Sequence, residues 1–126
     1  MTVSTHVLDA GTGRPAAGVW VLLERETPGS EGIWSRVEPE QTDTEQTDTE
    51  QTDTGRTDAD GRLRLSGSFD PGVYRITFGT GDYFAAHGVK TFYPRVEVTF
   101  EVTSAAEHYH VPLLLSPFAY STYRGS

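Results

Sequence analysis

An antiparallel β-sandwich of seven to eight strands with one short helix is the fold class this sequence predicts, and three features predict it. Apolar and polar residues alternate in several runs. The cleanest is Arg95 to Val102 (RVEVTFEV), with Val96, Val98, Phe100 and Val102 on one side and Arg95, Glu97, Thr99 and Glu101 on the other. Strand side chains point alternately to opposite faces, so such a run has one dry and one wet face, the mark of antiparallel sheets. The runs are short and bounded by Gly-, Pro- and Asp-containing turns. Only one stretch, YFAAH closed by Gly88, is composed like a helix with a glycine stop. Two sheets packed face to face bury all the dry faces at once.

Size and composition narrow the chemistry. With 126 residues, positions 1–126 are expected to form a single domain around one core. There is no cysteine, so disulfides, thiolate nucleophiles and Cys-ligated metals are excluded, and chemistry must come from His, Arg, Tyr, hydroxyls and carboxylates. The opening MTVSTHVLDAGTG has no basic segment followed by an apolar run, and no stretch approaches the roughly eighteen apolar residues of a membrane span. A soluble cytoplasmic protein is the expectation. The net charge of −8 is local: six of the eighteen acids (Glu40, Asp43, Glu45, Asp48, Glu50, Asp53) lie in one insert without a basic residue, which leaves −2 for the rest. No basic stripe exists to follow phosphates, so nucleic acid is not an expected partner.

Taken in order, residues 3 to 9 (VSTHVLD) read as a first strand with His6 and Leu8 on one face, closed by the turn-rich AGTGRPAAG. Val19 to Glu26 is a second strand, more apolar at its start than at its end. Ile33 to Val37 is a short third, and Trp20 and Trp34 are read as packing residues. Residues 40 to 54 are three perfect copies of EQTDT. A segment without apolar residues buries nothing that repays its ordering entropy, so a mobile, solvated acidic insert is expected at about 40–55. Calcium binding requires a fixed ring of oxygens and a glycine at the bend, and the copies contain no glycine.

Asp58-Ala59-Asp60-Gly61 shares the start of a calcium loop but not the remainder, and Asp-Gly before an alternating run is a turn. In the following strand Leu63 and Leu65 share one face, Arg62 and Arg64 the other. Gly72 to Phe78 places Tyr74, Ile76 and Phe78 together. After it come the short helix and Tyr83, Phe84, Phe92 and Tyr93, expected to cap the sandwich, with His87 structural or solvated. The last two strands are His108 to Leu115 and Ala119 to Arg124. His108 and His110 share a face, and Pro112, lacking a donor, belongs at an edge, a bulge or a non-bonded position.

The candidate residues are His6, Arg62, His110 and the final four. A neutral imidazole accepts a proton near pH 7, a guanidinium offers fixed donors to a developing oxyanion, and Tyr or Ser hydroxyls orient a substrate. This set suits hydrolysis of an activated ring amide by water without a covalent intermediate. No cofactor loop is present. His108-x-His110 has the strand spacing of a zinc chelate, but a third ligand is not evident, so no metal is assigned. Alone, a mid-strand histidine is more often a packed or solvated residue than a catalyst.

The wording of three segments changes that weighting. HYHVPLLLSPFAYSTYRGS, from His108 to Ser126, resembles the signature of the transthyretin-related hydrolases that open the ring of 5-hydroxyisourate, including the ending Tyr123-Arg124-Gly125-Ser126. Thr5-His6-Val7-Leu8-Asp9 followed by Gly13-Arg14-Pro15-Ala16 is similar to that family's opening motif, and Asp60-Gly61-Arg62 to its arginine motif. Ala119 stands where the family often has Gly. The resemblance covers most of the chain except residues about 26 to 56 and implies a transthyretin-like (prealbumin-like) sandwich. It also implies 5-hydroxyisourate as substrate, with His6 and His110 activating water, Arg62 binding and polarising the anionic ligand, and Tyr123 and Ser126 with the terminal carboxylate shaping the pocket. A homotetramer with active sites at the interface between dimers is implied as well. The competing expectation is a small-molecule carrier, since transthyretin shares the sandwich, but the carrier differs at the histidine and arginine positions and lacks the YRGS ending.

Overall fold

The computed structural model describes residues 2–38, 41, 42 and 54–126, with Gln41 and Thr42 described by backbone alone. The strands are β1 (Thr2–Asp9), β2 (Arg14–Pro15), β3 (Trp20–Glu26), β4 (Trp34–Arg36), β5 (Gln41–Thr42), β6 (Gly55–Arg56), β7 (Arg62–Ser66), β8 (Gly72–Phe78), β9 (Val96–Val102), β10 (His108–Ser116) and β11 (Ala119–Thr122), with one helix, α1 (Thr80–Ala86), after β8. Eight of the described strands are longer than two residues, which agrees with the seven to eight expected from periodicity. The other three are two-residue pairings on the flanks.

One sheet runs β11-β10-β1-β7-β5 with β2 beside β1, and the second runs β4-β3-β8-β9 with β6 beside β3. All pairings are antiparallel except one: β1 and β10 run parallel, with Thr2 opposite His108, Ser4 opposite His110 and His6 opposite Pro112. Alternation within a strand does not encode this direction. The two strands lie near opposite ends of the chain, and the long connection between them passes through the second sheet, so no hairpin forces them antiparallel.

The inner faces meet as expected. Val3 and Val7 of β1, Leu63 and Leu65 of β7, and Tyr109, Val111, Leu113 and Leu115 of β10 are buried. So are Val21 and Leu23 of β3, Tyr74, Ile76 and Phe78 of β8, and Val96 and Val102 of β9. Each large side chain so buried contributes about 1.5–3 kcal/mol, which is why one-residue register slips, which would turn every one outward, are disfavoured.

Helix α1 buries Phe84 and ends as its sequence requires. Gly88 takes φ +68°, its N–H reaches Ala85 O at 3.1 Å, and the N–H of Val89 reaches Phe84 O at 2.9 Å, the paired bonds of a glycine-terminated helix. The indole N–H of Trp20 donates to Asp82 at 2.8 Å, and a β-carbon on Gly79 would overlap the indole ring, so Trp20 anchors the helix to β3. His87 is exposed and its Nδ1 lies 2.8 Å from Tyr83 O. The aromatic cap is less complete than the sequence suggested. Tyr93 turns in to Tyr120, ring centres 5.1 Å apart, whereas Phe92 remains 71% exposed, because the irregular segment between α1 and β9 points neighbouring side chains in different directions.

The acidic copies from Asp43 to Asp53 lie outside the described residues. On either side the chain is held: β5 pairs with β7, and Thr54 is buried, its N–H donating to Val21 O at 2.7 Å and its hydroxyl accepting from Leu23 N–H at 2.8 Å. Among the described residues no helix is long and apolar enough to cross a membrane.

Candidate active site

The outer face of the larger sheet gathers residues from both ends of the chain and from its middle. In β1 the residues that face outward are Thr2, Ser4, His6 and Leu8. Arg62 of β7 lies directly across from His6, while His110 of β10 lies across from Ser4 on the other side. Residues facing each other across a ladder share a sheet face, so His6, Arg62 and His110 stand on three adjacent strands with His6 in the central one. Three segments far apart in sequence are thereby brought together.

Arg62 is aimed by the turn before it. The Asp58 carboxylate accepts from the N–H of Asp60 and of Arg62, both at 2.9 Å, and the Asp58 N–H reaches Arg62 O at 2.8 Å. Gly61 sits at φ +75°, where a β-carbon would run into Val7 O, so the glycine allows the turn to press against β1. The turn reading of Asp58 to Gly61 is thus correct. Asp9, at the far end of β1, is buried and also acts locally: its carboxylate accepts from Gly11 N–H at 2.9 Å, Thr12 N–H at 3.2 Å and the Tyr83 hydroxyl at 2.9 Å. Burial and this bond push the Tyr83 hydroxyl up to about 12, so it remains a donor that ties α1 to the opening motif.

The histidines are held unequally. Among the described residues the side chains of His6 and Arg62 have no hydrogen-bond or ion-pair partner. His110 Nδ1 lies 2.7 Å from Ser4 Oγ, the same hydroxyl is 3.1 Å from His108 Nε2, and His108 Nδ1 contacts Thr2 Oγ1. The two β10 imidazoles lie nearly parallel, ring centres 6.3 Å apart. Burial lowers the pKa of His110, and the neighbouring His108, His6 and Arg62 lower it further, against an opposing contribution from the Ser4 backbone that is smaller than that of burial. A neutral, proton-accepting imidazole is the result.

The final residues lie along β10. Gly125 N–H donates to His110 O at 2.8 Å, and a β-carbon at Gly125 would overlap the His110 ring. Arg124 lies 4.7 Å over the Tyr109 ring and reaches Glu107 at 3.4 Å. Pro112 falls between the β10–β11 ladder, which ends at Leu113, and the bridge to Gly125, where a missing donor is tolerated. Tyr123 is 58% exposed and Ser126 is also exposed. A cleft of about 320 Å³ beside this segment is lined by His110 and Tyr123, together with Phe100, Tyr109 and Arg124, but by neither His6 nor Arg62. Within one chain His6, Arg62 and His110 stand on a partly exposed sheet face that this cleft does not span.

Thr2 and Ser4, which stand against the histidine pair, are the residues that motif reading passed over. Alternation placed Ser4 on the His6 face, but its position against His110 depends on the β1–β10 pairing, for which the sequence carries no local signal.

A small antiparallel sandwich with imidazoles and a guanidinium on the outer face of one sheet is a class in which the chemistry is carried by strands. The profile of the HIUase/Transthyretin family matches residues 3–125, and the chain belongs to this family. It is 42% identical over 127 residues to the 5-hydroxyisourate hydrolase of Salmonella typhimurium, covering 98% of this chain and 80% of that one. Among solved structures it is similar to Klebsiella pneumoniae 5-hydroxyisourate hydrolase (TM-score 0.72, 34% identity, 99% of this chain and 93% of that one). It is also similar to Sparus aurata transthyretin (TM-score 0.79, 31% identity, 98% and 95%).

Proposed function

We propose that this protein is a cyclic amide hydrolase that opens the ring of 5-hydroxyisourate to 2-oxo-4-hydroxy-4-carboxy-5-ureidoimidazoline in urate degradation. The observation that carries the reading is the cross-strand pair His6–Arg62 with His110 on the next strand, three groups of the hydrolase motifs on one face. His6 and His110 activate the attacking water and carry its proton. Arg62, without a carboxylate partner among the described residues, binds the anionic ligand and stabilises the oxyanion that forms as water adds to the ring carbonyl. Tyr123 and Ser126 close and hydrogen-bond the pocket.

An open face binds a small molecule poorly, since ligand sites are concave. The protein therefore acts as a homotetramer in which a second copy covers this face at the interface between dimers. The exposed apolar residues Leu114, Phe118, Tyr120 and Tyr123 on β10, β11 and beside them support that assembly, as does the position of β11 as the last strand of its sheet. Its place is the cytoplasm, and residues 1–126 act as one domain. Likeness to a transthyretin favours a carrier only at the level of fold, which does not set function.

The test generates 5-hydroxyisourate from urate with urate oxidase and follows its decay. Acceleration by the purified protein over the spontaneous rate is expected; a rate equal to the spontaneous one would leave the carrier reading.

A further inference from the structure

We infer that Ser4 is a positioning residue for the water-activating step and that, with His108, it forms a relay that moves the positive charge taken up by His110 out to the exposed His108. The inference rests on the hydrolase reading above and adds to it a route for the proton and two residues that handle it.

The geometry is specific. One hydroxyl lies within hydrogen-bond distance of two imidazole nitrogens, His110 Nδ1 at 2.7 Å and His108 Nε2 at 3.1 Å. A serine hydroxyl has one proton and neutral imidazole has one N–H, so Ser4 donates to one ring and accepts from the other. The tautomers of the two histidines are consequently coupled. Thr2 Oγ1 at His108 Nδ1 extends the chain by one more group.

In the arrangement a base requires, His110 Nδ1–H donates to Ser4 Oγ, Ser4 Oγ–H donates to His108 Nε2, and His108 Nδ1–H donates to Thr2 Oγ1. This leaves the lone pair of His110 Nε2 free to take a proton. When it takes one from water, the water O–H bond breaks, an Nε2–H bond forms and the oxygen attacks the ring carbonyl. The Nδ1 proton then passes to Ser4 Oγ as the serine proton passes to His108 Nε2. His110 ends neutral in its other tautomer and the positive charge ends on His108.

The direction of transfer has a physical reason. His110 is half-buried, whereas His108 is exposed. The charged and titratable groups around His110 are His6 on β1, Arg62 on β7, His108 and Tyr109 on β10, Tyr123 and Arg124 beyond β11, and Glu101 of β9 across the cleft. A cation on His110, beside His6 and on the same face as Arg62, is disfavoured by desolvation and by like charge, and moving it to the exposed His108 reduces both. As the ring C–N bond then breaks, the departing nitrogen takes the Nε2 proton of His110 while the Ser4 proton returns to His110 Nδ1 and the His108 Nε2 proton returns to Ser4 Oγ, so the array resets. This gives the exposed histidine of the His108-x-His110 pair a role that requires no metal.

The experiment uses the full chain with 5-hydroxyisourate made in situ, and in parallel ¹⁵N-resolved spectra of the histidine rings. Ser4→Ala should lower kcat by about tenfold or more with KM changed less than about twofold, and Ser4→Thr, which keeps the hydroxyl, should recover most of it. His108→Ala should lower kcat less than His110→Ala does, and free imidazole in the buffer should restore it. In the resting protein His110 should carry its proton on Nδ1, and Ser4→Ala should abolish that single tautomer. Wild-type kcat in Ser4→Ala, or a resting His110 protonated on Nε2 in both proteins, would overturn the relay while leaving the hydrolase reading intact. A wild-type protein that does not accelerate decay would instead remove the hydrolase reading itself, and the relay with it as a catalytic device.

Discussion

On the outer face of the second sheet, charges answer one another. Arg75 of β8 donates to Glu24 of β3 at 2.7 and 3.1 Å, reaches Glu97 of β9 at 3.5 Å and lies 4.3 Å over the Trp34 ring, while Arg95 takes the same Glu97 at 3.0 Å. On the outer face of the first sheet, β1, β7 and β10 present Thr, Ser, His, Leu, Arg and Pro side chains but no carboxylate. Both faces arise from the same period-two alternation, yet one spends its donors on internal ion pairs and the other keeps His6 and Arg62 uncommitted. Leaving donors and imidazoles unmatched on a folded surface yields little stability. It is the condition for recognising something else, here an anionic, ring-shaped substrate.

The largest effects should come from the uncommitted face. His6→Ala, Arg62→Ala and His110→Ala are each expected to lower kcat/KM by about a hundredfold or more with circular dichroism unchanged. By contrast, Arg75→Ala should leave kcat/KM within about twofold and cost about 1 kcal/mol of stability, a value between those of exposed and buried pairs. Equal kinetic losses from both faces, measured side by side, would erase the distinction.

Removing Arg124-Gly125-Ser126 tests how far the first face depends on what lies along β10. It deletes the Gly125 bond to His110 and the Arg124 contact with Tyr109, and most turnover should disappear while the β-rich spectrum survives. Full activity in the shortened protein would detach Tyr123 and Ser126 from the site.

A smaller and graded effect is expected from pH. Burial, reinforced by His108, His6 and Arg62, holds His110 below its ordinary 6.5, so the base is neutral at pH 7 and is lost only as pH falls through the depressed value. The acid limb of kcat/KM should therefore have its midpoint below 6.5, and a midpoint above it would contradict the assignment. The same shift makes the unfolded chain the stronger proton binder. Stability should rise with pH between the folded value and about 6.5 and no longer change above it on account of this group.

The smallest effect should follow excision of residues 43–47, which leaves two EQTDT copies over the span that joins β5 to Thr54. Loop closure depends on the logarithm of length, so stability should change by less than about 1 kcal/mol, with activity and assembly preserved. Loss of assembly on gel filtration would show that the acidic copies contribute to the structure.

Much of this was legible in the sequence because it is local. Alternation put His6 with Leu8, Arg62 with Arg64 and His108 with His110. Asp-Gly announced the turn before Arg62, and Gly88 announced the end of α1. The three motifs named His6, Arg62 and His110, which the ladders bring to one face, and also Tyr123 and Ser126, which lie exposed beyond β11. Tertiary structure alone decided the rest: that β1 and β10 run parallel, that Ser4 therefore stands between two imidazoles, and that Tyr93 turns in where Phe92 does not. A two-residue period specifies which side of a strand is dry, but it is silent on which strand lies alongside. That choice is made by the burial of both sheets at once, between segments about a hundred residues apart, and Ser4 acquires its two histidines only when it has been made.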